Sequence, residues 1–458
     1  MMTNSRCFFP LLLGTLFFAS VPLASHAKST PPGLRVGAAA VSFVADDSME
    51  IAGSILPGKA MGQEGELRAV AVVLEKAPHP KVAIVACDIL MITRDLLDPV
   101  VAEIEKTTGI PASHVLINCT HTHHAPSTVK VHGYGRNETF CKEVQKKVLE
   151  AVQKADANLA KEKEDCQFHF ALGHEDTIGQ NSRQMLSDGT IYWTGERGDF
   201  VRPTGPFDPE LPVFAFRDGS GKLLALMFNH STHTIGLRAG GKRSPSFYGL
   251  AAQELEQDMG GVVSFLEGAS GSTHNLFVPS LTAITKMKQS VSETLARAQP
   301  REVHRIAAMK RSFTFKVRQF DEAREEAAVT NYCQKRIPTR AEDTARVFRN
   351  MRKELGPMQG QECTTWIQAM VIGDVAMVGV PAEFFTKLGL DIKNRSPFRH
   401  TYIAELANDW IGYIPDQDAF QLGGYQVWTG FHSYAEPGTG ERMVDAVVEM
   451  LRELQGGR

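Results

Sequence analysis

Val-Leu-Ile-Asn-Cys-Thr-His-Thr-His-His, residues 115 to 124, is an apolar, β-branched run that ends abruptly in three histidines within four positions. In an extended backbone alternate side chains face the same way, so His121 and His123 are expected on one side of the chain and Thr122 on the other. Neutral imidazole is the commonest side-chain metal ligand, and a strand end bearing two such rings is a candidate metal centre. The same residues also suit a histidine-rich surface turn, and spacing by itself leaves both readings open.

Strands and helices alternate outward from this stretch. Leu67 to Leu74 and Lys81 to Cys87 read as paired strands split by the turn-type segment Lys76-Ala-Pro-His-Pro80. Leu97, Val100, Val101 and Ile104 give an amphipathic helix over 96–106 that stops at Gly109. Asn137 opens a second helix, with Phe140, Val144, Val148, Ala151, Ala155 and Leu159 on one face. Further strands are expected at 167–172, 211–217, 223–230 and 401–406, and further helices at 248–259, 280–298 and 436–454. An alternating strand over 303–318 leads into two charged helical stretches, 322–335 and 339–355, split by Pro338. This charged insertion, at about 319–357, reads as solvated helix faces that at most shield a site. Strands resume over 366–380 with Gly373-Asp374 as a hairpin turn. The fold class is α/β or α+β, a mixed β-sheet core flanked by helices with a metal site at strand ends, without internal repeat or low-complexity tract.

Composition excludes some functions. Lys plus Arg total 49 against 52 acidic residues, a balance of −3 over 458 residues, so no field exists to hold nucleic acid. Arg6, the apolar run from Cys7 to Ala19, and the small residues flanking His26 in Ser25-His26-Ala27 form the pattern of a cleaved export signal over 1–27. The remainder, 28–458, is long enough for one large or two ordinary domains and is expected to be periplasmic or secreted. No later segment approaches the ~20 apolar residues of a membrane span, which leaves at most peripheral contact with lipid. An oxidising compartment permits disulfides, but the cysteine spacing decides no pairing and contains no Cys-x-x-Cys motif.

Other positions also carry chemistry. Asn229 to Thr234 places His233 just beyond an apolar strand, Pro381-Ala-Glu383 puts a carboxylate where strand becomes helix, and Asn-Asp-Trp-Ile-Gly-Tyr413 with Tyr425 lies in a Gly-rich stretch. Asp88, at a strand end, suits a role orienting a ligand histidine or a purely structural hydrogen bond. Thr-His-Thr-His at 120–123, Asn229 to Thr234, Gly-Ala-Ser-Gly at 268–271, Pro381-Ala-Glu383, the Asn408 to Tyr413 segment with Tyr425, and Glu436-Pro-Gly-Thr-Gly-Glu441 occur in an order that resembles the neutral/alkaline, non-lysosomal ceramidase superfamily, in its catalytic N-terminal domain.

The resemblance implies that His121, His233, Glu383 and Tyr413 bind one zinc ion, that His123 and Tyr425 face the reacting group, and that Arg183 meets the substrate's polar head. It further implies an exported hydrolase in which a zinc-activated water cleaves the amide of a ceramide or another small-molecule or lipid N-acyl amine, with no protein partner. Two departures bear on the substrate. The family's Ser-Gly-Pro-Gly after Thr-His-Thr-His is here His124-Ala-Pro-Ser127, and its Ser-Pro-Asn is here Thr273-His274-Asn275. Two other classes stay open on the residues: a serine hydrolase using Ser270, which lacks the Gly-x-Ser-x-Gly elbow, and a non-catalytic binding protein that kept the fold.

Overall fold

The computed structural model describes residues 1–3, 33–161 and 165–457; of the export signal expected over 1–27, all but the first three residues lie outside them. The described residues from Gly33 onward cluster as one compact unit. Its first sheet contains β1 (Arg35–Ser42), β2 (Arg68–Glu75), β3 (Val82–Cys87) and β4 (Val115–Cys119) in that spatial order. The first pairings are antiparallel, and β3 with β4 is parallel. A parallel partner requires a crossover. Here it is α1 (Arg94–Thr108), which buries the four predicted apolar positions and ends at left-handed Gly109. The second helix, α2 (Glu138–Leu159), is capped by the Asn137 side chain, which accepts from the Phe140 amide.

The second sheet holds β5 (Gln167–His174), β6 (Glu210–Arg217), β7 (Leu223–His230) and β8 (Val262–Glu267), with the short strand Gln299–Arg301 at the edge beyond β5. Again the last pair, β7 and β8, is parallel, and α3 (Ser246–Met259) makes the crossover. Helix α4 (Ser280–Ala296) follows. The third sheet begins with β9 (Ile306–Lys316), shorter than the expected alternation. The charged insertion then forms α5 (Glu322–Arg336) and α6 (Ala341–Leu355). After it come β10 (Glu362–Ile372), β11 (Val375–Gly379), α7 (Thr386–Arg395) and β12 (His400–Ala404), with β11 and β12 parallel. Ile372 pairs with Val375 across the predicted Gly373-Asp374 turn, and Gly373 takes φ 63°. Helix α8 (Thr439–Gly456) closes the described chain.

One connectivity therefore occurs three times, although the sequence has no repeat: antiparallel strands, then a strand-helix-strand crossover to a parallel partner. The carboxyl ends of the parallel pairs meet, and side-chain amides fasten them. Asn118 donates to the Glu405 carbonyl and accepts from the Glu267 amide at 3.0 Å. Asn229 donates to Leu266 and Ile403 carbonyls, each at 2.8 Å, and Asn408 accepts from the Ile117 amide at 3.2 Å. Buried polar groups need such partners, and here, apart from the Asn229–Leu266 bond, they tie one sheet's strand ends to another's. Loops leaving these strand ends are consequently held close together.

The insertion is more than a solvated pair of helices. Val329, Tyr332 and Cys333 of α5 and Ala345, Phe348, Met351 and Leu355 of α6 are buried. Arg352, fully buried, joins the helices by pairing with Glu322 at 2.9 Å and with Glu326. No described helix is long and apolar enough to cross a membrane, and no disulfide joins the described cysteines.

Candidate metal centre

His121 and His123 come together, but not by strand alternation. Strand β4 ends at Cys119, and His121 takes φ 60° in the left-handed region, where a side chain other than Gly is uncommon. The preceding residue is tied down: the Thr120 hydroxyl donates to Asp88 at 3.1 Å. Asp88 thus braces the backbone before His121 and does not bond the His121 ring. Burial, only partly offset by Arg68, raises the Asp88 carboxyl to about 6.

Three imidazoles are oriented by main-chain carbonyls. His121 Nδ1 bonds Leu90 O at 3.0 Å, His123 Nδ1 bonds Gly53 O at 2.9 Å, and His233 Nδ1 bonds Ser270 O at 2.9 Å. A carbonyl only accepts, so each Nδ1 carries the proton and each Nε2 presents a lone pair. Those lone pairs converge. His121 Nε2 lies 3.3 Å from His123 Nε2, and one nitrogen from each of the three rings falls within 4.8 Å of the others. Close approach at Gly53 is required, because at φ 104° a Cβ there would sit 2.6 Å from the His123 ring. The Gly53 amide donates in turn to Tyr134 Oη at 2.8 Å.

A carboxylate completes the cluster. Glu383 Oε1 stands 3.4 Å from His121 Nε2 and 3.6 Å from His233 Nε2, while Oε2 accepts from the Trp410 indole at 3.2 Å. Glu383–Phe384 and Tyr413–Ile414 form a short parallel bridge with Glu383 opposite Tyr413. Across it the Tyr413 hydroxyl reaches His233 Nε2 at 3.0 Å. Glu383 is therefore turned into the cluster and away from the N-terminus of α7. Apart from the Tyr413 hydroxyl, the converging atoms are acceptors. Protonation does not relieve this arrangement near neutrality: burial first, then His233, holds the His121 imidazole well below the usual range. Burial followed by His121 and His233 does the same to His123. Nitrogen and oxygen lone pairs gathered around one point, with their other faces satisfied, fit a divalent cation such as zinc.

A cavity of about 400 Å³ opens over the cluster, with His123, His233, Tyr413 and Tyr425 in its wall. The Tyr425 ring stacks on Trp193 at 4.7 Å, and its hydroxyl lies 3.1 Å from His132 Nε2. Ile337, Arg340 and Thr344 of the charged insertion also line this space, so the insertion forms part of the site.

Other expectations need correction. Arg183 does not line the cavity. Its buried guanidinium donates to Gln426 at 2.9 Å and to the Gly423 carbonyl at 2.6 Å, bracing the segment that carries Tyr425. Ser270 is fully buried, its hydroxyl donates to Glu405 at 2.7 Å, and its carbonyl holds His233. No open nucleophile is formed there. His124, third of the histidine run, accepts from the Gly236 amide at 3.1 Å, while His274 lines the cavity stacked on His233.

Residues that sequence reasoning missed fall into two kinds. Gly53, Leu90 and Ser270 act through their carbonyls, which leave no side-chain signature. Trp410 stood inside a quoted motif but only its neighbour Tyr413 was given a role; His132 and Tyr134 carried no signal of spacing.

No family model and no curated sequence matches the chain. Its fold does match solved structures. Neutral ceramidase from Pseudomonas aeruginosa superposes with a TM-score of 0.71 at 18% identity, over 93% of this chain and 75% of that one. A ceramidase complexed with C2 gives 0.71 at 17% identity with the same coverage. The chain carries the neutral ceramidase fold.

Proposed function

We propose that this chain, built on the neutral ceramidase fold, is a metal-dependent amide hydrolase that cleaves a ceramide or related N-acyl amine, with one zinc ion held by His121, His233, Glu383 and Tyr413. The observation that carries the reading is the convergence of acceptor lone pairs, each ring fixed from behind by a carbonyl, beneath a cavity. Zinc bound there would draw the pKa of a water towards ~7 and so supply a nucleophile at neutral pH.

The protein's own groups do the rest. His123 is anchored at Nδ1 and presents Nε2 to the cluster, so it takes a proton and returns it to the leaving amine. Tyr425 lines the cavity and donates its phenolic proton to the developing oxyanion when His132 Nε2 supplies the hydrogen to the phenol oxygen. The apolar wall of Ile55, Leu56, Trp193 and Ile337 accepts an acyl chain. In this reading the N-terminal pattern at 1–27 directs export, which cell fractionation of the expressed full chain tests.

Elemental mass spectrometry of the protein and of His121→Ala and His233→Ala variants decides the centre. About one zinc per chain, absent from both variants, together with hydrolysis across an acyl-amide panel, is expected. A wild-type protein that refuses added zinc overturns the proposal. Full occupancy without hydrolysis of any amide supports the binding-protein reading instead.

A further inference from the structure

The cavity wall is chemically divided. Ile55, Leu56, Trp193, Ile235, Leu276 and Ile337 are apolar, whereas Arg340 is the one lining residue with a permanent charge, and no Asp or Glu is in the wall. Arg340 stands in the short turn Pro338–Arg340 between α5 and α6 and is exposed. The neighbouring arginines are committed: Arg336 to Asp199 and Asp188, Arg346 to Asp343, Arg349 and Arg352 to glutamates. Among the described residues the Arg340 guanidinium has no such partner.

A second cation flanks the same cavity. Arg197 lies over the Phe277 ring at 3.6 Å and donates to the carbonyl of Leu276, a wall residue, at 3.1 Å. It makes no ion pair with a described carboxylate. Unpaired guanidinium groups beside an apolar pocket match an amphiphile with an anionic end, because guanidinium binds carboxylate and phosphate oxygens in pairs.

We propose that the substrate is an N-acyl amine whose polar half bears an anion, a carboxylate or a phosphate, received by Arg340 and Arg197 while the acyl chain lies on the apolar wall. This rests on the hydrolase reading above and narrows its substrate class.

The test uses the zinc-loaded full chain with N-dodecanoylglycine, N-dodecanoyl-phosphoethanolamine and the neutral N-dodecanoylethanolamine, measuring both kcat/KM and Kd by calorimetry. At least one anion is expected to exceed the neutral amide by roughly five- to tenfold in both quantities, the range of one or two charge-assisted contacts at a solvated rim. Which anion leads identifies the group. Arg340→Gln is expected to bring the ratio close to parity, Arg197→Gln to lower it in part, and Arg340→Lys to keep much of it. The ratio is read within each variant, so a general loss of fold or metal does not mimic the effect. Parity in the wild type, or a preference untouched by both glutamine variants, overturns the inference. Tighter anion binding through Arg340 without hydrolysis of any amide would sustain it while defeating the hydrolase reading. Hydrolysis with no anion preference would do the reverse.

Discussion

The floor of the cavity and its rim are built by opposite means. At the floor, His121, His233 and Glu383 are buried, belong to segments leaving different sheets, and have each outward-facing atom satisfied by a carbonyl or an indole. At the rim, α5 and α6 are held by charged pairs, many of them part-exposed, such as Arg352 with Glu322 and Arg349 with Glu326. Buried hydrogen bonds lose much when one partner goes, while solvated ion pairs lose little. The floor is therefore expected to be intolerant and specific to the ion, and the rim tolerant and adjustable to the substrate.

The comparison breaks most sharply at Glu383. Glu383→Ala removes the carboxylate between His121 and His233, and metal affinity is expected to fall by more than ~100-fold, beyond the loss typical of an outer-shell partner. Metal content after dialysis measures this; retention at the wild-type level would remove Glu383 from the ligand set. His123→Ala sharpens the same boundary. It is expected to keep the ion and lose turnover, and loss of the ion would instead make His123 a ligand with the other two histidines.

Gly53→Ala comes next. The added Cβ meets the His123 ring, and φ 104° strains any residue with a side chain, so a destabilisation of ~1–3 kcal/mol is expected in urea unfolding. His132→Asn probes acid sensitivity of the layer between floor and rim. His132 is half-buried and its imidazole is held at about 3 from an ordinary 6.5, loss of contact with water being the main cause. Below pH 6.5 the unfolded chain takes the proton first, so this imidazole makes stability fall on acidification. Between about pH 7 and about pH 5 the variant should lose about 2 kcal/mol less stability than the wild type. Equal losses would show that His132 is not held as a neutral ring. The smallest effect belongs to the rim: Arg352→Met keeps the buried stem and frees glutamates that solvent already reaches, so ~1–2 kcal/mol is expected. Its metal content should be unchanged, and a fall would join rim to floor.

Much of the floor was legible because the residues that converge there stand at abrupt transitions in pattern. His121, His233 and Glu383 each follow an apolar strand run, and the elements that the pattern does mark lie within a few residues of their expected bounds, whereas β1, β8 and α7 were not read from the sequence. The left-handed turn at His121 was not legible, since the tie beside it, from Thr120 to Asp88, joins residues far apart in the sequence. Nor was the threefold recurrence of the crossover, which is carried by connectivity and shared by unlike residues. Arg183 was misplaced because a motif gives position along the chain and not the direction of a long side chain. The insertion was underestimated because its apolar face, Val329, Phe348 and Met351, is diluted by charges that serve the helix pair.

The main-chain oxygens at Gly53, Leu90 and Ser270 have an evolutionary consequence. A device made of peptide groups is copied whatever side chain the codon specifies, provided the backbone course is kept. The rings can thus stay aimed by groups that any residue supplies, although the packed surroundings of positions 53, 90 and 270 still limit the side chains that fit. A centre of this kind depends on the course of the backbone more than on the spelling of the residues behind it.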